Sequence, residues 1–145
     1  MTVKNLSLFA TAVLVLTALS LLVKHSLFAS APVLIAGQVM AGLLMVWARV
    51  TFGLRSLHAA ATPTAGGLIT TGPYRFVRHP IYSAILLFLW AGVASHVSLL
   101  NMVLGVLASA AIAVRIGTEE RLVVERYPEY AAYAARTRRV IPFVL

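Results

Sequence analysis

The fold is decided by a long uncharged stretch in the second half of the chain, HPIYSAILLFLWAGVASHVSLLNMVLGVLASAAIAV at positions 79–114. It contains no Asp, Glu, Lys or Arg. At about 1.5 Å per residue it is too long for one helical crossing of a bilayer, whose apolar core is about 30 Å thick. His96-Val97-Ser98 interrupts it near the middle. The pattern therefore predicts two transmembrane helices, at about 80–95 and 98–118, joined by a tight turn.

Two further apolar segments precede this hairpin, at about 6–23 and 32–50. The second begins with Pro32, which suits the first turn of a helix because its missing N–H needs no partner there. The chain has 145 residues, of which 61% are hydrophobic and 11% are charged, whereas soluble domains are about 25% charged. This composition excludes a soluble enzyme, a disordered chain and a collagen-like fibre. We therefore expect an all-α integral membrane protein, with four transmembrane helices in a single domain at 1–145.

The basic residues predict the orientation of these helices. Of the 12 Lys and Arg residues, all but Lys24 lie near the N-terminus, around the loop at about 51–79, or from the end of the fourth helix onward. Four crossings put these regions on one side of the bilayer, which the positive-inside rule assigns to the cytoplasm. We expect cytoplasmic N- and C-termini, in a bacterial or archaeal cell membrane. The net charge of +8 is then explained by anionic membrane lipids rather than by nucleic acid.

The first apolar segment has a second interpretation. Lys4, the apolar run and Ala29-Ser30-Ala31 resemble a signal peptide with a cleavable small-x-small site. The length of the run, and Lys24 placed before that site, favour a retained transmembrane helix instead.

Two groups of polar residues flank the uncharged hairpin and are candidates for chemistry. The first, which we call the loop cluster, consists of Arg75, Arg78 and His79, where the chain enters the third helix. Backbone N–H groups at a helix start lack partners within the helix, so they can meet a polar ligand. An interfacial belt of Arg, His and Tyr is the plainer alternative.

The second group, which we call the helix-end cluster, consists of Arg115, Glu119 and Glu120. Arg115 and Glu119 are four residues apart and share a helical face. An ordinary surface ion pair would explain them. However, an Arg that ends so long an uncharged stretch is expected to point inward or to reach back to the interface. The adjacent acids suit the hydroxyls of a ribose.

The region after the fourth helix, at about 119–145, is predicted to lie at the membrane surface. Tyr127-Pro128 should end or kink the helix, because proline disfavours helical geometry in the residue before it. A short basic helix at about 128–136 would then present Tyr130 and Tyr133 as interfacial anchors. Attraction to lipid headgroups explains the basic tail at 137–143.

The sequence LITTGPYRFVRHPIY at 68–82 resembles the cofactor motif of the isoprenylcysteine carboxyl methyltransferase family. The likeness covers about 49–145 and extends to Glu119-Glu120, Tyr130, Tyr133 and the terminal Ile141-Pro142-Phe143. The departures from the family pattern are Ala84 for a common Gly, Gly66-Gly67 for a polar residue, and one residue fewer between the paired Glu and Tyr130, with Pro128 in the gap.

This resemblance implies an integral membrane enzyme that uses S-adenosylmethionine as its cofactor. By motif position, three sets of residues would contact the cofactor, in the loop, at the start of the third helix and in the fourth helix: Gly67, Leu68, Ile69 and Tyr74; His79, Pro80, Ile81 and Tyr82; and Glu119. Arg115 would match the family's Arg for the substrate carboxylate, which makes it the expected catalytic and substrate-binding residue.

The expected reaction is methyl transfer from S-adenosylmethionine to a lipophilic acceptor carried by the membrane, with a carboxylate as the leading candidate. The alternatives are a phospholipid or amine N-methyltransferase, a nicotinamide-dependent reductase, a small transporter and a non-enzymatic scaffold. Transport is disfavoured because no predicted membrane helix contains an acid. The chain has no Cys, and His25, His58 and His96 lack metal-ligand spacing, so we predict no metal site. The acceptor and the oligomeric state stay open.

Overall fold

The computed structural model describes residues 2–53 and 67–141. Within them the chain forms α-helices and no β-strand, which confirms the predicted all-α fold. The helices are α1 (Val3–Val23), α2 (Pro32–Phe52), α3 (Pro80–Ser95), α4 (Leu99–Arg126) and α5 (Tyr130–Arg136), and a 3-10 turn at Gly72–Arg75 precedes α3. Positions 54–66 and 142–145, which include His58, Gly66 and the terminal Pro142-Phe143, lie outside the described residues.

The helix ends follow from local chemistry. α1 begins three residues before the predicted bound because the Thr2 hydroxyl caps it by accepting from the Asn5 N–H at 3.3 Å. α2 ends at Phe52, and the capping Gly53 that follows has a φ of +69°, which suits glycine. α4 continues beyond the predicted crossing at 98–118 and stops at Tyr127-Pro128, as that dipeptide predicts.

Three helices of the described residues, α1, α2 and α4, are long and apolar enough to cross a membrane. The apolar α3 is shorter, with 16 residues. Large apolar side chains stand exposed on the outside of the bundle, among them Phe9, Leu16, Leu43 and Leu107. In a bilayer these side chains contact lipid tails rather than water. The chain is therefore an integral membrane protein.

The helices pack as two pairs, α1 along α4 and α2 along α3, and α3 also meets α4. Leu21, Leu89, Val93 and Ala108 form a buried core shared by α1, α3 and α4. Because α1, α3 and α4 all contribute side chains, this core joins the α3–α4 hairpin to the first helix. The pairing therefore brings three helices to the site described below.

A buried amide helps to fix the segment between α1 and α2 to the bundle. Gln38 donates from Nε2 to the carbonyls of Leu27 at 2.8 Å and Phe88 at 3.0 Å, and its Oε1 accepts from the Ala29 N–H at 2.9 Å. The same segment lies so close to α3 that a Cβ at Gly92 would be 2.3 Å from the Leu27 carbonyl oxygen. Only glycine fits there without movement of the backbone.

The chain after α4 folds back over the loop before α3. Arg78 and His79 donate their backbone N–H groups to the carbonyls of Arg138 at 2.7 Å and Arg139 at 2.9 Å. We call residues 137–141 the C-terminal strap. The backbone bonds of this strap to the protein are a contact that the sequence did not predict.

The two tyrosines of α5 are also placed differently from the prediction. Tyr130 and Tyr133 are 6% and 3% exposed, so they are not interfacial anchors. The Tyr133 hydroxyl donates to the Tyr74 carbonyl at 2.6 Å. The hydroxyl thus has a partner inside the protein, and the ring is drawn onto the loop instead of the lipid headgroups.

Candidate active site

The structure brings most of the loop cluster onto the helix-end cluster. Glu120 is the centre, because Arg78 donates from Nε to its Oε1 at 3.0 Å and Arg139 from Nε to its Oε2 at 3.1 Å. The Nε2 atom of His79 lies 3.3 Å from Oε1. We call this arrangement the Glu120 clamp. It joins the start of α3, the end of α4 and the C-terminal strap.

Arg78 also secures the strap through its second arm. Its Nη1 donates to the carbonyls of Ala134 at 2.8 Å and Thr137 at 2.6 Å. The Ser83 hydroxyl donates to the Val140 carbonyl at 2.5 Å. Glu120 and Arg78 therefore have a structural role, because they hold the C-terminal strap against the 68–82 segment.

Glu119 has a different environment from its neighbour. Its Oε1 accepts from Arg115 Nη2 at 2.9 Å and, through a very short hydrogen bond, from the Tyr82 hydroxyl. Its Oε2 faces only the Nδ1 of His79, at 3.8 Å, within the described part of the chain. The Glu119 side chain is 25% exposed, against 13% for Glu120, so Glu119 is the more accessible of the two carboxylates.

Arg115 is buried, with 7% of its surface exposed. Its Nε donates to the Tyr82 hydroxyl at 2.7 Å, and its Nη1 donates to the Thr11 hydroxyl of α1. Ile112 and Ile116 pack with Tyr82 in an apolar cluster beside it. This burial excludes the surface ion pair weighed for Arg115 and agrees with an Arg that points inward.

Arg75 does not join the other members of the loop cluster. Its guanidinium lies over the ring of Phe76, with 4.9 Å from the guanidinium carbon to the ring centroid, and both residues are exposed. This is a surface cation–π contact.

The loop and helix-start residues expected to contact the cofactor lie in two segments, one before and one after the 3-10 turn. Gly67, Leu68 and Ile69 lie in irregular backbone before the 3-10 turn, and Pro80, Ile81 and Tyr82 form the first turn of α3. Gly67 has a φ of +85°, which favours glycine. The loop residues at 67–69 therefore precede the 3-10 turn at Gly72–Arg75, and the helix-start residues at 80–82 follow it.

Tyr74 connects this loop to α2 and α5. Its ring packs against Phe52 with centroids 5.5 Å apart, and it is 5% exposed. Its hydroxyl is buried and has no hydrogen-bond partner among the described residues. Burial raises the pKa of Tyr74 above its usual value of about 10, and raises the pKa of Tyr133 to about 12. Both phenols are therefore neutral at physiological pH.

Sequence reasoning missed two contributors to this site. Thr11 reaches Arg115 from α1, but no motif surrounds it, and the only signal is a polar residue in an apolar helix four positions after Ser7. Arg139 was visible only as part of a basic tail. Its pairing with Glu120 depends on the chain reversal between α4 and α5, which no local pattern specifies.

The phospholipid methyltransferase family model matches residues 26–130, which include the loop cluster and the helix-end cluster. The chain belongs to the phospholipid methyltransferase family. This is a family of membrane methyltransferases, within the same broad superfamily as the isoprenylcysteine carboxyl methyltransferases. Its methyltransferases typically use S-adenosylmethionine. The match leaves out Thr11 and Arg139.

A curated relative is similar to part of the chain. The chain is 36% identical over 76 residues to the cobalt-zinc-cadmium resistance protein CzcN of Cupriavidus metallidurans. The alignment covers 52% of this chain and 35% of that protein, so the chain spans about a third of the relative's length. No solved structure gives a significant match.

Proposed function

We propose that this protein transfers a methyl group from S-adenosylmethionine to a lipophilic acceptor carried by the membrane. The observation that carries the proposal is the position of Arg115. Its guanidinium lies between an apolar cluster containing Ile112 and Ile116 and a charged group containing Glu119 and Glu120. A site of this kind suits a reaction between a water-soluble cofactor and a substrate dissolved in lipid.

The residues present fit the cofactor in their chemistry. The partly exposed Glu119 carboxylate suits the ribose hydroxyls, because a carboxylate oxygen accepts hydrogen bonds from them. The buried Tyr74 hydroxyl offers a polar group that no described residue uses. In the first turn of α3, Ile81 and Tyr82 offer backbone N–H groups for an anionic group of the cofactor, while Pro80 has none.

When bound, S-adenosylmethionine supplies an electrophilic methyl group, whose bond to sulfur breaks as the acceptor atom attacks. A carboxylate acceptor is already anionic, so no residue needs to remove a proton. Arg115 would align this carboxylate through charge-assisted hydrogen bonds. Its burial beside apolar residues would strip water from the attacking oxygen.

An amine acceptor, such as the headgroup of a phospholipid, is the second candidate. The family match favours it, because the family takes its description from phospholipid substrates. An ammonium acceptor must first lose a proton. The facing pair of Glu119 and His79, with 3.8 Å between Oε2 and Nδ1, would be the base in that case.

The active site, in this proposal, faces the cytoplasm. The support is the charge distribution, because the loop cluster and the residues after α4 carry most of the basic side chains. The cofactor would then enter from the cytosol and the acceptor from between the helices. A cysteine-accessibility assay at an introduced Glu125→Cys would test this orientation in intact cells, and labelling from the outside would reverse it.

The activity is tested with purified protein in lipid nanodiscs and S-adenosylmethionine that carries a labelled methyl group. One reaction contains an S-prenylated cysteine with a free carboxyl group, and another contains phosphatidylethanolamine. Label released by mild base reports a methyl ester, whereas base-stable label in lipid reports methylation of the amine. Calorimetry measures binding of the cofactor separately.

We expect saturable binding of S-adenosylmethionine and label in the ester. Label in the lipid amine alone would replace the carboxylate with the second candidate. Failure to bind S-adenosylmethionine in folded, monodisperse protein would overturn the proposal as a whole.

A further inference from the structure

The first helix contributes a polar side chain to the candidate site. Thr11 lies in α1, and its hydroxyl accepts a hydrogen bond from Nη1 of Arg115, 104 residues further along the chain. The family match begins at residue 26, so it does not include this contact. The packing of α1 along α4 brings Thr11 and Arg115 together.

The local geometry of α1 prepares Thr11 to act as an acceptor. Its hydroxyl donates its own hydrogen to the Ser7 carbonyl at 2.9 Å, one helical turn earlier. A threonine hydroxyl has one hydrogen and two lone pairs, so this bond leaves only lone pairs for other partners. A guanidinium has donors alone, and the two groups are therefore complementary.

The contact adds a third helix to those that hold the guanidinium. Nε donates to Tyr82 on α3, Nη2 donates to Glu119 on α4, and Nη1 donates to Thr11 on α1. A bond to Glu119 alone would leave the long Arg115 side chain free to rotate. Partners at all three nitrogens, on three helices, fix both the position and the plane of the group.

We propose that Thr11 is a positioning residue for Arg115, so that α1 sets the orientation in which the guanidinium meets the acceptor. The inference rests on the proposed function, because it assigns Arg115 to the acceptor. Thr11 itself touches neither the cofactor nor the reacting atoms in this proposal. Its removal should therefore impair turnover while cofactor affinity is retained.

The test compares three variants in nanodiscs. Thr11→Val removes the hydroxyl but keeps the shape, and Thr11→Ser restores the hydroxyl. Thr17→Val is the matched control, because Thr17 lies in the same helix and, among the described residues, its hydroxyl bonds to carbonyls of that helix alone, Val13 at 3.0 Å and Leu14 at 2.8 Å. Each variant is assayed for kcat and acceptor KM, for cofactor Kd by calorimetry, and for thermal unfolding.

A readout independent of turnover comes from nitrogen-15 spectra of the arginine side chains. The Nε–H signal of Arg115 is assigned by its loss in Arg115→Lys. We expect it to shift or broaden in Thr11→Val and to return in Thr11→Ser. The signal should be unchanged in Thr17→Val.

We expect Thr11→Val to lower kcat/KM for the acceptor about tenfold, the usual size of one hydrogen bond to a charged group. The cofactor Kd should change less than about twofold, and Thr11→Ser should recover most of the activity. Equal losses in Thr11→Val and Thr17→Val would mean a structural role only and would overturn the inference. Wild-type protein without cofactor binding would instead overturn the proposed function, while the spectra would still report on the Thr11–Arg115 contact.

Discussion

Arg115 Nε lies 2.7 Å from the Tyr82 hydroxyl, and this contact closes the hairpin of α3 and α4 across 33 residues of sequence. The hydroxyl accepts from Arg115 and donates to Glu119 at the same time. The three side chains therefore form one unit, in which a cation, a phenol and a carboxylate keep each other in place. A change at any of them should be felt by the other two.

Replacement of Arg115 should separate turnover from cofactor binding. Arg115→Lys keeps the positive charge beside Glu119 but loses the planar fork that bonds Tyr82 and Thr11. We expect kcat/KM for the acceptor to fall at least about a hundredfold, because two hydrogen bonds to a charged group are lost. Calorimetry should give a cofactor Kd within about fivefold of wild type.

The control for this variant is Arg121→Lys, which makes the same change at an exposed position of α4. It should have wild-type kinetics. Normal turnover in Arg115→Lys would remove Arg115 from the acceptor site, since a flexible ammonium cannot reproduce the fork.

The paired acids should behave differently when each is changed to Gln. Glu119→Gln removes the charge that faces His79 and pairs with Arg115, and we expect the cofactor Kd to rise about tenfold. Glu120→Gln removes the counter-charge of Arg78, and we expect it to lower the free energy of unfolding by about 2 kcal/mol.

Limited proteolysis gives a second measurement for the Glu120 clamp. The C-terminal strap should be cleaved faster in Glu120→Gln than in wild type, because Arg139 and Arg78 lose their shared acceptor. Glu125→Gln is the matched control, since Glu125 is exposed on the same helix. The same effect on cofactor affinity from both acids would contradict the division of roles.

The sequence predicts this site in part because its components are local. The charge-free stretch specifies the hairpin. Hydropathy and Pro128 define the ends of its two helices, and these ends in turn give the positions of the Arg and His before α3 and of the acids near the end of α4. The sequence could not assign different roles to Glu119 and Glu120. Adjacent residues on a helix differ by about 100° in direction, and only the packing shows which of the two faces Arg78.

Thr11 and the C-terminal strap depend on tertiary packing. An apolar helix with scattered Ser and Thr residues fits lipid or protein on any side, so nothing in α1 indicates that Thr11 faces Arg115. Likewise, Tyr130 and Tyr133 have the composition of interfacial anchors, and their burial follows from the chain reversal after Pro128. Long-range contacts of this kind carry no periodic signal.

The close approach of the α1–α2 segment to α3 gives a prediction about stability. Gly92→Ala would put a Cβ 2.3 Å from the Leu27 carbonyl oxygen and 2.8 Å from that of Ser26. Because both neighbours are backbone, the segment must move, and we expect unfolding to become easier by about 1–3 kcal/mol. Gly37→Ala is the control, since nothing described lies within 4 Å of its added Cβ. Equal thermal unfolding of the two variants would contradict the packing of this segment.

The buried tyrosines give a prediction about alkaline pH. Burial raises the pKa of Tyr133 to about 12, from an ordinary value of about 10, and also raises the pKa of Tyr74 and Tyr130. A raised pKa in the folded state favours the neutral phenol. The stability this provides is complete below pH about 10 and is lost as the pH rises through about 12.

Absorbance of tyrosinate measures this directly. We expect most of the tyrosinate signal of the folded protein to develop well above pH 10, whereas protein unfolded in denaturing detergent should titrate near pH 10. Tyr133→Phe should remove one late-titrating group and also weaken the tie between α5 and the loop, because the hydrogen bond to the Tyr74 carbonyl is lost. That loss should cost about 1 kcal/mol in the free energy of unfolding at neutral pH. Titration of all five tyrosines near pH 10 in folded protein would mean that α5 does not pack against the loop.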